Sequence, residues 1–199
     1  MGRKSIAEIR RKEMLEAFYD LIVDEGMEKA SVAKLAKRMG VNASLVIHYF
    51  QTKDALVGAL IEYMLNRYEQ KFLPLLHSQD TPEQRLQWVF SALFSKEWDE
   101  AQGSIFYTCL PLIFRNESVR LQYQHLFQRF KRYAVDELAQ ARDAGMIQVK
   151  NLELAADLLI TCLEGFNVYE RIRQDEAAFE EMSQTLQSVL LNAFQTGLV

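Results

Sequence analysis

Residues 31–53 read SVAKLAKRMGVNASLVIHYFQTK, and the spacing within this stretch decides the fold. Ser31 is a capping residue ahead of a short apolar-periodic run, Val32 to Met39, and Gly40 is the usual kind of stop for such a run. Asn42 then caps a second run that ends at about Phe50, and Thr52 caps a third. Two short helices joined by a glycine-containing turn have the grammar of a helix-turn-helix. In that arrangement Val32, Leu35, Ala36, Val41, Val46 and Phe50 form a small core, while Ala43, Ser44, Leu45, Ile47 and His48 face outward. Spacing alone fits a groove-reading helix pair and an ordinary helical hairpin equally well.

The flanks continue the same pattern. Upstream, Ser5 with Glu8 has the form of a capping box, opening a helix whose buried stripe is Ile9, Leu15, Phe18 and Ile22 and which ends at Gly26. Downstream, a helix from Lys53 to about Leu73 buries Leu56, Leu60, Tyr63 and Met64 and stops at Pro74, because proline lacks the N–H that the helical ladder needs. Thr81-Pro82-Glu83 opens another, and further helices read as about 98–115, 117–144, 151–173 and 175–195. With three prolines, eight glycines and no alternating strand pattern, the chain is all-α with about nine helices. Residues 1–52 form a three-helix helix-turn-helix domain, residues 53–199 a larger helical domain, and His77–Thr81 is the one linker candidate.

Charge divides the chain in the same place. Residues 1–55 carry ten Lys/Arg against eight Asp/Glu, and the remainder carries 13 against 19. A phosphate-facing end and an acidic body follow from that split. No apolar stretch follows Met1 and no run is long enough to span a bilayer, so no membrane partner and a cytoplasmic location are expected. Cys109 and Cys162 each lie in an apolar helical stretch, as reduced core thiols do. Catalysis is not expected: His48, His77 and His125 lie in separate segments without metal-ligand spacing, no glycine-rich phosphate loop occurs, and Cys109 has no local histidine. No metal and no cofactor are implied. Arg3, Lys4, Arg10, Arg11 and Lys12 read equally as an arm for DNA or as a solvated face paired to Glu8, Glu13 and Glu16.

Gly26, Ser31-Val32, Leu35-Ala36, Gly40-Val41-Asn42 and the run His48-Tyr49-Phe50-Gln51-Thr52-Lys53-Asp54-Ala55-Leu56 resemble the DNA-binding domain of the TetR family. The resemblance implies a homodimeric transcription regulator, usually a repressor, whose second domain binds a small-molecule effector and dimerises. Its partner is a double-stranded operator, near-palindromic because a two-fold dimer presents two recognition helices. Position by position, it assigns Ser31 to capping and phosphate contact, Asn42 to capping, His48 to the groove face, and Tyr49 and Lys53 to phosphate clamping. Ala43, Leu45 and Ile47 depart from the basic residue, threonine and tyrosine common in the family, and Ala33 stands where a base-reading arginine is found. Methyl contacts to thymine from Leu45 and Ile47, alongside Ser44 and His48, are the reading expected instead.

In the body, aromatics crowd residues 81–144, and Trp88, Phe106, Tyr123, Phe127 and Tyr169 are candidate lining for an apolar or aromatic effector, lipophilic cations included. The helix from Leu152 is apolar around much of its circumference. With the last helix it suggests a four-helix interface between two copies, through Leu158, Leu159, Leu163, Phe166, Met182, Leu186, Val189 and Leu190. Ala144-Gly145-Met146-Ile147 and Leu152 to Gly165 also resemble the subgroup that contains the choline-responsive repressor.

Overall fold

The computed structural model describes residues 3–96 and 106–198, with side chains from Ile6 onward. The helices are α1 (Arg3–Glu25), α2 (Val32–Met39), α3 (Ala43–Phe50), α4 (Lys53–His77), α5 (Pro82–Leu93), α6, described over 106–109, α7 (Glu117–Asp143), α8 (Leu152–Arg173) and α9 (Glu176–Gln195). A 3₁₀ turn, Leu110–Phe114, follows α6. No strand occurs among the described residues, in keeping with an all-α chain. Trp98 and the start of the helix expected from about residue 98 lie outside the described residues.

The chain divides into two compact units, Met1–Glu69 with Gln102–Leu126, and Gln70–Ala101 with Phe127–Val199. In the first, α2 packs on both α1 and α3. Its core is built from Met14, Leu15, Phe18, Leu21 and Ile22 of α1, Leu35 and Ala36 of α2, Val46 and Phe50 of α3, and Leu56, Val57, Leu60 and Ile61 of α4. Two ion pairs, Lys34–Glu25 and Arg38–Asp24, join α2 to the end of α1. Later in the same unit Tyr123 donates from its hydroxyl to the Phe106 carbonyl at 2.6 Å, with the two rings 5.1 Å apart. Cys109 is buried, and burial pushes its thiol up to about 12 against the opposing influence of Lys53, so it stays protonated and unreactive near neutrality.

The second unit holds an aromatic chain through its core: Phe166 lies 5.6 Å from Phe94 and 5.0 Å from Phe179, each measured between ring centroids. Ser183 donates to the Phe94 carbonyl at 2.8 Å, which satisfies a polar pair inside that core. The α7–α8 connection is tied to the end of α9 by Gln148 N–H donating to the Phe194 carbonyl at 2.7 Å.

Three local expectations are corrected. Helix α1 begins at Arg3, ahead of Ser5, so Ser5 sits within the helix instead of capping it. Ile9 is 49% exposed, because nine residues separate it from Phe18 and turn it to the opposite face of α1, and Met14 and Leu21 complete the stripe in its place. Helix α4 runs through Pro74 to His77. Proline lacks its own donor and crowds the carbonyl four residues back, but the Pro74 carbonyl still accepts from Ser78 N–H at 3.0 Å, and Leu76 in the final turn is buried.

The link from α3 to α4 is strained. Gln51 has φ 63° and ψ −53°, and Thr52 N–H closes a three-residue turn on the Phe50 carbonyl at 2.7 Å. A side chain in that backbone region costs about 1–3 kcal/mol. Gln51→Gly is therefore expected to raise the melting temperature by about 2–4 °C, the shift that a net gain of roughly 1 kcal/mol gives a chain of this size. A melt showing no rise would mean that the turn stores no such strain.

Candidate nucleic-acid interface

The α2–α3 pair is held by caps. Ser31 Oγ accepts from Lys34 N–H at 3.2 Å, and Gly40, in the left-handed region at φ 63°, ends α2 while Val41 N–H returns to the Ala36 carbonyl at 3.0 Å. Asn42 occupies the N-cap position of α3, but its side chain makes no capping bond and is exposed. The backbone makes the first turn without it, through Leu45 N–H to the Asn42 carbonyl at 3.0 Å. Thr52 caps α4 by accepting from Ala55 N–H at 3.0 Å.

Helix α3 is two-faced. Val46 and Phe50 are buried, whereas Ser44, Leu45, Ile47 and His48 are exposed, Ile47 to 50%. Ala43 is half-buried, and Ala33 on α2 is exposed. Tyr49 is half-buried, with its ring edge-on to His48 at 5.6 Å. Lys53, also half-buried, points its Nζ at the Met27 carbonyl, 3.5 Å away.

Around this helix the basic cluster divides. Arg10 pairs with Glu13 at 2.8 Å and Lys12 with Glu16 at 3.8 Å, along α1 itself. Arg11 instead crosses to α3, donating to the Tyr49 carbonyl at 3.0 Å with its guanidinium carbon 4.5 Å from the centre of the Phe50 ring. Its structural part escapes sequence reasoning, since one partner is a backbone carbonyl 38 positions away. The side chains of Arg3 and Lys4 lie outside the described residues.

The five residues expected to line an effector site fall in both units. Phe106 and Tyr123 are buried together in the first. In the second, the Trp88 ring lies tilted 6.3 Å from that of Phe72, Phe127 is half-buried, and Tyr169 is exposed with the Arg173 guanidinium 5.5 Å from its ring. Two cavities in the second unit are lined by other residues. One, of about 320 Å³, is lined by Leu86, Phe90, Met146, Leu191 and Gln187 among others, and the other, of about 410 Å³, by Lys96, Glu170, Asp175, Glu176 and Phe179 among others. Asn167 is a buried polar residue that the sequence reading missed: its Oδ1 has no hydrogen-bond partner among the described residues. The signal was its place on the α8 stripe with Leu163, Phe166 and Glu170. Among the described residues no three His, Cys, Asp or Glu side chains gather as a metal set, and no helix is long and apolar enough to cross a membrane.

Of the residues expected between two copies, Leu159, Leu163, Phe166 and Leu190 are buried inside the chain's own core, where α8 packs on α9. Leu158, Met182 and Leu186 are half-buried and Val189 is exposed. Leu154, Val168 and Ile172 of α8 are also exposed, to 75% for Ile172.

Comparison with known proteins bears on both parts of the chain. A model of bacterial regulatory proteins of the tetR family matches residues 14–60, and one of the tetracyclin repressor-like C-terminal domain matches residues 81–195. The chain is 28% identical over 159 residues to the HTH-type transcriptional regulator BetI of Escherichia coli K12, covering 73% of this chain and 80% of that protein. In fold it is similar to a TetR transcription regulator from Haloarcula marismortui, with a TM-score of 0.79 at 20% identity over 94% of this chain and 98% of that one. It is also similar to a transcriptional regulator from Saccharomonospora viridis solved in complex with choline, with a TM-score of 0.76 at 15% identity over 91% and 95% of the two chains.

Proposed function

Because the chain belongs to the TetR family of transcriptional regulators, we propose that it is a homodimeric repressor that holds a near-palindromic operator through α3 and is released by a small, largely apolar or aromatic effector. The carrying observation is the outward face of α3. Ser44, Leu45, Ile47 and His48 stand exposed on a helix whose other side is locked into the core. Exposed aliphatic side chains cost solvation in the free protein and gain it back against thymine methyls in a major groove. Tyr49 and Lys53 flank this face, where a phenol and an ammonium fix register on phosphates, and Ser31 and Ala33 approach from α2. The ammonium must leave the Met27 carbonyl to do so, a weak contact at 3.5 Å. In this reading the chain is a binding protein and not an enzyme, needs no cofactor, and works where the chromosome is, in the cytoplasm.

Dimerisation is assigned to the exposed apolar side of α8 and α9, with Val189, Ile172, Val168 and Leu154 joining Leu158, Met182 and Leu186. Two copies place two α3 helices on one side of the duplex, about one helical turn apart. The effector class rests on the aromatic side chains of the body, with lipophilic cations included because aromatic faces attract them.

Selection from random-sequence duplexes followed by footprinting tests the reading. Two inverted half-sites are expected; recovery of no preferred duplex would overturn it. At the protected positions, replacing thymine by uracil removes one methyl, and at one position or more it should cost about 0.8 kcal/mol, roughly a fourfold loss of affinity. Unchanged affinity at every position would exclude methyl reading by Leu45 and Ile47.

A further inference from the structure

We infer that Arg11, exposed on α1, is a positioning residue for DNA reading: it aims α3 through contacts with its last turn and does not bind a phosphate itself. The inference rests on the operator-binding reading above. Helix α3 has only eight residues, too few to hold its shape without tertiary support. Its last turn presents carbonyls, the negative end of the helix dipole, and Arg11 reaches them with a cation. Ile47 and Phe50 carbonyls are met by Gln51 and Thr52 N–H groups at 2.7 Å each, and the Tyr49 carbonyl between them is met by Arg11 Nη1 at 3.0 Å. The same guanidinium lies 4.5 Å from the centre of the ring of buried Phe50. A planar fork performs both tasks at once, which a lysine ammonium does not. Arg10 and Lys12, its neighbours, are turned to carboxylates on α1, so Arg11 alone of the three spans the gap to α3. Withdrawing the guanidinium from the Tyr49 carbonyl and the Phe50 ring to follow a phosphate would release the helix end on which His48 and Tyr49 sit.

The test compares Arg11→Ala and Arg11→Lys with the unaltered chain, using the duplex recovered by the selection described above. Arg11→Ala is expected to lose about tenfold in affinity, with the slope of log Kd against log salt unchanged. A phosphate contact would instead lower that slope by about 0.9. Arg11→Lys, which keeps the charge, is expected to recover less than half of the loss on a logarithmic scale. A second arm needs no DNA: in the free protein, Arg11→Ala should speed hydrogen exchange at the Phe50, Gln51 and Thr52 amides about tenfold while leaving α9 unchanged. A lowered salt slope, full rescue by lysine, or unchanged exchange at those amides would each overturn the inference. Failure of the selection itself would count against operator binding, and the exchange arm would still judge Arg11.

Discussion

Ile47→Asp is expected to abolish specific duplex binding, with at least a hundredfold loss of affinity, while the melting temperature moves by less than about 2 °C. Ile47 sits near the middle of α3 and is half in solvent, so the free protein loses little when it is replaced. Surface substitutions of this kind fall within roughly ±0.5 kcal/mol. In the complex the balance reverses. A carboxylate enters a groove walled by phosphates, loses its water and finds no cation opposite it. Desolvation and repulsion together amount to about 3 kcal/mol or more, which is the hundredfold effect. Ile47→Ala is the control, removing apolar contact without adding charge, and should cost less than tenfold. Fluorescence anisotropy with the selected duplex, paired with a thermal melt, reads both quantities. An aspartate variant that binds as the unaltered chain does would remove α3 from the groove.

Phe50→Ala carries the largest expected effect on stability. Its ring is buried where α3 meets the core of the first unit, and one face is covered by the Arg11 guanidinium. Truncating a buried phenylalanine costs about 3–5 kcal/mol, because transfer energy is lost and the cavity collapses only in part. For a chain of this length that is a fall of about 6–20 °C in melting temperature. Duplex binding should fail with it, although no outward side chain has changed. Phe50→Leu retains most of the volume and should recover most of the stability, but not the stacking of Arg11. A Phe50→Ala variant melting within about 2 °C of the unaltered chain would place the ring outside the load-carrying core.

These expectations rest on features that differ in how far the sequence discloses them. The α2–turn–α3 unit is legible because its determinants are local. Ser31 bonds an amide three residues on, and Gly40 is needed for its own left-handed backbone. Apolar spacing also identified Val46 and Phe50 as inward and Ile47 as outward, since a helix turns by a fixed angle per residue. The same angle sets Ile9 opposite Phe18, nine residues on, so its exposure was also legible in the sequence. Pro74 is less so: its chemistry is local, but whether a helix survives it depends on the burial of Leu76 beyond. On α8, composition predicted an apolar circumference, and only tertiary packing distinguishes Leu159, Leu163 and Phe166, spent on the chain's own core, from Val168 and Ile172 left outside. Arg11 is the least legible of all, because a backbone carbonyl has no letter in the sequence.

The two-faced character of α3 has a consequence for descent. Its inward residues, Val46 and Phe50, secure the fold, and its outward residues at 44, 47 and 48 contribute little to it. Substitutions at the outward positions are therefore nearly neutral for folding, and a duplicated copy of the chain can drift there without passing through an unfolded intermediate. In the proposed reading, target preference and stability are inherited largely on separate residues, so a lineage carrying this helix is able to change what it recognises one side chain at a time.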